Sequence, residues 1–371
     1  MSTIFYAFTR NVGDDLQSIA LISLLKNIET IVSRDHIPEA LAGINSRGIL
    51  SGWLSYNVTS EFDHSRLARL CPPLSIHIEN PIHVQKSWLE YLRISPFIVA
   101  RDLYTRELIN GLGIDAEFGG CPTLLLSNFF LTTPCSFDYQ VCTELHYIET
   151  AKQDMKHCFY FNPCNVPRSI SYSLPARMAY ALCWLKLIAG ASTVITDRIH
   201  AAFPAISFGV KTIFPHHKGE VNHLPTGGIS RISGYGHLLG LGGIDAASRI
   251  DACNSVIEML TETTLNRLYS WMGVLAGASS ISLNTVWEAY QVLSARTFGD
   301  QLADDLLKSS YSKGVECFLN QLTPLYRLNN RIDAIPGWLR DLYLSEMPIN
   351  YICPKSPEGF DRDAMILKSN W

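Results

Sequence analysis

Short, unbroken apolar runs separated by helix-like segments constrain this chain more than any other feature. A strand reads as continuously apolar when both its faces are covered, as in a parallel sheet flanked by helices. Such runs occupy 4–8, 28–32, 48–53, 74–78, 97–100 and 114–118. A polar loop from Thr9 to Asp15 leads into an apolar-periodic stretch over 16–25, and a second helix is expected over 104–112, with Gly113 as its stop signal. Strand, tight loop and helix in alternation over the first 130 or so residues predict a doubly wound α/β unit. No period survives from Ser127 to Lys156, where Pro134 and two cysteines fall, so the junction between units is placed there. The alternation then resumes: strand 158–161, helix 174–189 ended by Gly190, strand 192–196, helix 198–208 ended by Gly209, and strand 211–214. Glycines cluster over 227–243, and the chain from about 250 reads as largely helical, with Pro336, Pro348, Pro354 and Pro357 late in it. The expected organisation is an α/β unit over 1–140, a second over 141–290, and a mainly helical extension over 291–371.

A chain of 371 residues is long enough for two such units. Lys and Arg number 30 against 34 Asp and Glu, a net charge of −4, which lacks the basic excess that phosphate-backbone binding requires. A nucleic-acid partner is not expected. The ten cysteines show no C-x-x-C spacing, so reduced, mostly buried thiols are expected and no metal site. The start has no basic, long-apolar leader, and the most membrane-like stretch, 178–196, contains Lys186 and Gly190 and is read as helix then strand rather than a span.

In open α/β sheets ligands gather at the carboxyl ends of the strands, where loops and helix N-termini converge. Asn11, Gly13 and Asp14 follow the first strand; Arg101 and Asp102 follow 97–100; Asp197, Arg198 and His200 follow 192–196; His216, His217 and Lys218 follow 211–214. That set suits a small, multiply anionic ligand. Structural readings compete at each position. Asp14 and Asp15 are also what a helix N-terminus favours, Asp197 could cap the helix after it, and Arg101–Asp102 could be a surface pair. His200, one turn into an apolar helix beside a cation, fits proton transfer as well as a structural role. His77, inside an apolar strand, reads as a hydrogen-bonded core residue before a catalytic one. Trp53, Trp88 and Trp184 could stack on a sugar but read first as core, and the glycine-rich stretches lack nucleotide-loop spacing.

Taken in order, Asn11-Val12-Gly13-Asp14-Asp15, Ala100-Arg101-Asp102 with Thr105 and Leu108, Gly120-Cys121-Pro122-Thr123-Leu124, and Thr196-Asp197-Arg198-Ile199-His200 followed by Gly209-Val210-Lys211 resemble the polysaccharide pyruvyl transferase family. The resemblance spans about 1–218. It implies two Rossmann-like domains facing across a cleft, similar to the two-domain glycosyltransferase architecture. The N-terminal domain would form the acceptor side and part of the donor site, and the second domain the rest of the donor site. It also implies transfer of the pyruvyl group of phosphoenolpyruvate onto two sugar hydroxyls as a cyclic ketal, with release of phosphate. By the resemblance, Arg198 and Arg101 bind the donor, His200 is the general acid, and Lys218, placed by distance after the motif, neutralises phosphate. Asp14 is the candidate to orient or deprotonate the acceptor, with Asn11, Gly13 and His77 in acceptor or supporting roles. Many members are glycine-rich in the strand before Arg-Asp, where this chain reads Leu74-Ser75-Ile76-His77-Ile78-Glu79.

Neither metal nor redox cofactor is expected. The expected partners are phosphoenolpyruvate and a saccharide, lipid-linked or free, with homo-oligomerisation left open. A cytoplasmic location is expected, at the membrane surface if the acceptor is lipid-linked. The alternatives are a glycosyltransferase using a nucleotide-sugar donor, which would share the architecture, and a catalytically silent glycan-binding member.

Overall fold

The computed structural model describes residues 2–214 except 7–8, 10, 25–27, 35–36, 39–40, 42–43, 45, 55–61, 80–85, 130–138, 144–157, 165 and 167–173; beyond these it describes 232–235, 238–239, 255–256 and 258–272. Two parallel sheets with intervening helices make up these residues. The first contains β1 (Ser2–Tyr6), β2 (Ile28–Ser33), β3 (Gly48–Trp53), β4 (Pro73–His77), β5 (Val99–Ala100) and β6 (Glu117–Phe118), in the order β2-β1-β3-β4-β5-β6. Helix α1 (Val12–Leu24) joins β1 to β2. Then α2 (His64–Leu70) and α3 (Lys86–Ile94) precede β4 and β5, and α4 (Leu103–Gly111) precedes β6. Asp63 caps α2 by accepting from Arg66 N at 2.8 Å, and Asp102 caps α4 by accepting from Thr105 N at 2.8 Å. Helix α1 starts four residues earlier than its apolar period suggests, because Asn11 Oδ1 accepts from Gly13 N at 2.9 Å and supports a first turn that carries Asp14 and Asp15.

A turn at Pro122–Leu125 and the short α5 (Leu126–Phe129) lead to the second sheet: β7 (Gln140–Cys142), β8 (Cys158–Tyr160), β9 (Thr193–Ile195) and β10 (Lys211–Ile213). Its order, β10-β9-β7-β8, winds as the first does, with the opening strand between the second and third. Helix α6 (Leu174–Ala189) precedes β9, and α7 (Ile199–Ser207) connects β9 to β10. Strand β7 lies at the centre of this sheet yet falls in the stretch where no period was legible, because only three residues, flanked by polar ones, carry it. The last described segment, a π-helical turn at Leu260–Leu265 followed by α8 (Asn266–Met272), returns to the first sheet: Thr264 Oγ1 donates to Gly119 O at 2.8 Å and Trp271 Nε1 to Gly48 O at 3.1 Å.

One apolar cluster runs without a break from Ile4, Tyr6 and α1 through Leu124 and Tyr139 to Trp184, Val194 and Phe203, so the two sheets share a core. A second, built on Phe5, Leu50, Ile76, Trp88 and Tyr91, covers the opposite face of the first sheet. Trp88 and Trp184 are core residues, Trp184 stacked on Phe161. Cys71, Cys121, Cys142 and Cys183 are buried, and burial pushes the thiols of Cys71 and Cys183 up to about 12. Among the described residues no helix is long and apolar enough to cross a membrane, and no three His, Cys, Asp or Glu side chains gather as metal ligands would.

Candidate active site

Three of the expected residues meet where α1, β5 and α7 begin or end. Arg101 follows β5 and is 3% exposed; His200 lies in the first turn of α7 and is 7% exposed. Arg101 Nη1 approaches His200 Nε2 at 3.3 Å. A guanidinium can only donate, so His200 Nε2 accepts, and a neutral ring then carries its proton on Nδ1. The other side of the ring lies on Gly13, where a Cβ would come within 2.6 Å of His200 Cβ and 2.7 Å of Nδ1. Glycine is required at 13 by this close approach.

Asn11 and Asp14 frame the same helix start. Thr9 Oγ1 donates to Asp14 Oδ2 at 2.6 Å, and Asn11 N donates to Thr9 Oγ1 at 3.2 Å. Val12 N donates to Pro163 O at 2.8 Å, which ties the turn to the loop after β8. Asp15, read from the sequence as a helix-terminus carboxylate, instead enters the core. Arg177 of α6 grips it through Nε at 2.9 Å and Nη2 at 2.7 Å, and the Tyr6 hydroxyl also donates to it. Burial pushes Asp15 up to about 6 against the pull of Arg177, which leaves it ionised at neutral pH.

Arg101 and Asp102 are no surface pair, since both are buried. Asp102 Oδ2 meets His77 Nδ1 at 2.7 Å and lies 3.9 Å from Arg101 Nε, while its Oδ1 caps α4. Thr105 Oγ1 lies 3.2 Å from His77 Nδ1 and accepts from Ile78 N at 3.1 Å. His77 is wholly buried and connected to Arg101 through Asp102. Tyr235 donates its hydroxyl to Arg101 O, and Leu103 N donates to Ser233 O at 3.1 Å, which fixes the backbone of this turn from a distant segment.

At α7 the cap is the backbone of Arg198, not Asp197, and no side chain caps the first turn. Arg198 is the extended residue before the helix, while Asp197 Oδ1 lies 3.4 Å from Arg198 Nε, out of the capping position. Thr196 Oγ1 accepts from Arg198 N at 3.0 Å and meets Thr143 Oγ1, just after β7, at 2.7 Å. Arg198 remains 41% exposed, the more accessible of the two arginines. Pro204 lacks the N–H that would bond the His200 carbonyl, one turn earlier. Lys218, His216 and His217 lie outside the described residues.

Gln17 was missed by sequence reasoning. It sits in the second turn of α1, outside any charged motif, and only the tertiary structure shows its Oε1 accepting from Arg101 Nη1 at 3.3 Å. Tyr235 and Arg177 gave no signal either, since both act across the fold. A family model for polysaccharide pyruvyl transferases matches residues 11–214, more than half of the chain and all of the assembled residues except Tyr6, Thr9, Ser233 and Tyr235. No curated protein matches the chain.

Proposed function

This chain belongs to the polysaccharide pyruvyl transferase family, and from that premise we propose that it is a phosphoenolpyruvate-dependent transferase that forms a cyclic pyruvyl ketal on a saccharide of a cell-surface or exported glycan. The observation that carries the reading is the buried contact of Arg101 with His200, beside the uncapped start of α7 and the half-buried Arg198. Two guanidinium groups and a helix N-terminus favour a donor that bears both carboxylate and phosphate.

In the proposed reaction the donor anion draws Arg101 and Arg198 onto itself. Added negative charge beside His200 favours its imidazolium, and Nε2, freed from Arg101, delivers a proton to the methylene carbon of phosphoenolpyruvate. The adjacent carbon becomes an oxocarbenium-like centre, which one sugar hydroxyl attacks, losing its proton to Asp14. Phosphate then leaves with its bonding electrons, and the second hydroxyl closes the ketal, its proton passing to the departing phosphate. Lys218 is the further candidate to neutralise the departing phosphate. No metal or redox partner enters this scheme. The two sheets, wound alike, are proposed to be the halves of a donor and acceptor cleft, with the boundary near residue 140 and with 291–371 as an extension. The described residues contain no membrane-crossing helix, so a lipid-linked acceptor would be met at a membrane surface.

Thermal denaturation with phosphoenolpyruvate, and separately with a panel of nucleotide sugars, tests the reading. Donor at 100 times its dissociation constant adds about 2.7 kcal/mol of stability. Stabilisation by phosphoenolpyruvate that Arg198→Ala abolishes is the expected result. Stabilisation by a nucleotide sugar alone would replace the reading with a glycosyltransferase, and saccharide binding without phosphate release from phosphoenolpyruvate would indicate a silent binding protein.

A further inference from the structure

We propose that Gln17 is a positioning residue that holds the Arg101 guanidinium on His200, and that a bulge in β4 holds Gln17. The inference rests on the roles proposed above for Arg101 and His200, but its geometry stands without them.

Strand β4 carries one residue more than either neighbour between matched positions. Leu50 and Gly52 of β3 pair with Pro73 and Ile76, and Val99 and Ala100 of β5 pair with Leu74 and Ile76. The consequence is visible in the core. Leu74 and Ile76, two apart and expected on one face, fall into opposite apolar clusters. The residue between them, Ser75, has φ of 55°, the left-handed region, and is fully buried. Its hydroxyl donates to Gly120 O at 2.9 Å.

The Ser75 carbonyl accepts from Gln17 Nε2 at 3.0 Å, and the same nitrogen donates to Ser51 Oγ at 3.0 Å. A carbonyl can only accept and a guanidinium can only donate, so both ends of the Gln17 amide are assigned: nitrogen to the sheet, oxygen to Arg101. A single planar amide is the side chain that can satisfy both at once. Gln17 is 2% exposed, so neither end has water as a substitute partner. Arg101 Nη1 thus has its two hydrogens directed at Gln17 Oε1 and His200 Nε2, both at 3.3 Å. Removing Gln17 removes one of two acceptors that aim this nitrogen.

The test uses the full chain without ligand. Imidazole ¹⁵N spectra report which ring nitrogen of His200 carries the proton, with its signals assigned by their loss in His200→Gln. The wild type is expected to show Nδ1 protonated and Nε2 accepting. Gln17→Met is expected to lose that preference and to weaken phosphoenolpyruvate binding by tenfold or more, with circular dichroism unchanged. Gln17→Glu keeps an acceptor for Arg101 but has no donor for the Ser75 carbonyl, so the bulge no longer holds it and the His200 preference is expected to be lost there too; it also serves if the Met variant does not fold. An unchanged His200 spectrum in folded Gln17→Met overturns the proposal, whether or not donor affinity falls, as does an unchanged spectrum in Gln17→Glu. If the wild type does not bind phosphoenolpyruvate, the functional reading fails, and the His200 spectra still decide the role of Gln17.

Discussion

At the scale of single residues, the site depends on a glycine and a histidine that share one space. A methyl group at position 13 would lie 2.6 Å from His200 Cβ, so Gly13→Ala must push the imidazole away from Arg101. The expected result is a tenfold or greater fall in kcat with a loss of about 1–3 kcal/mol in stability, the usual range for overpacking. Wild-type kcat in that variant, measured as phosphate release, would show that His200 needs no such placement. His200→Ala is expected to abolish transfer while the fold and most phosphoenolpyruvate binding persist, since Arg101 and Arg198 remain. Retained turnover would remove His200 as the acid. These residues were legible in the sequence because each follows a strand within a charged motif. Gln17 was not, since a glutamine in an apolar helix has no pattern that announces a partner 84 residues away.

At the scale of elements, the bulge in β4 places a serine where the backbone favours glycine. Ser75 occupies the left-handed region, which costs a side-chain-bearing residue about 1–2 kcal/mol and glycine almost nothing. The strain is offset in part by the Ser75 hydroxyl bond to Gly120 O. Ser75→Gly trades that bond for relief of strain, and Ser75→Ala loses the bond and keeps the strain. Denaturant unfolding is therefore expected to place Ser75→Gly above Ser75→Ala by about 1 kcal/mol or more; the reverse order would mean that the backbone here is not strained. The bulge was illegible beforehand, because Leu74-Ser75-Ile76 alternates as any strand does, and only the registers against β3 and β5 show the extra residue.

At the scale of the whole molecule, the Tyr6–Asp15–Arg177 cluster joins the helix that starts the candidate site to the helix that backs the second sheet. All three are fully buried, so Arg177→Met leaves the Asp15 charge without its partner and is expected to cost about 3–5 kcal/mol. A drop in thermal stability below 1 kcal/mol would show that the cluster contributes little. Asp15 also sets a pH dependence. Its carboxyl is raised from an ordinary 3.8 to about 6 by burial, so the folded chain binds that proton more tightly than the unfolded one. The resulting stability is fully present below about pH 4 and is lost as pH rises through about 6. Asp15→Asn should remove that downward slope, which unfolding free energies between pH 4 and 7 would show by comparison with the wild type. By itself, the sequence determined that strands and helices alternate, that the strands are covered on both faces, and which charged residues stand at their carboxyl ends. Those properties are local, written in apolar runs and in the turn residues that follow them. The tertiary structure alone decided that Asp15 enters the core while Asp14 bonds Thr9 at the start of α1, that Arg101 is buried against His200, and that Gln17 links them to a bulged strand. Each of these depends on partners distant in the chain, and no spacing within a segment encodes which distant group will arrive.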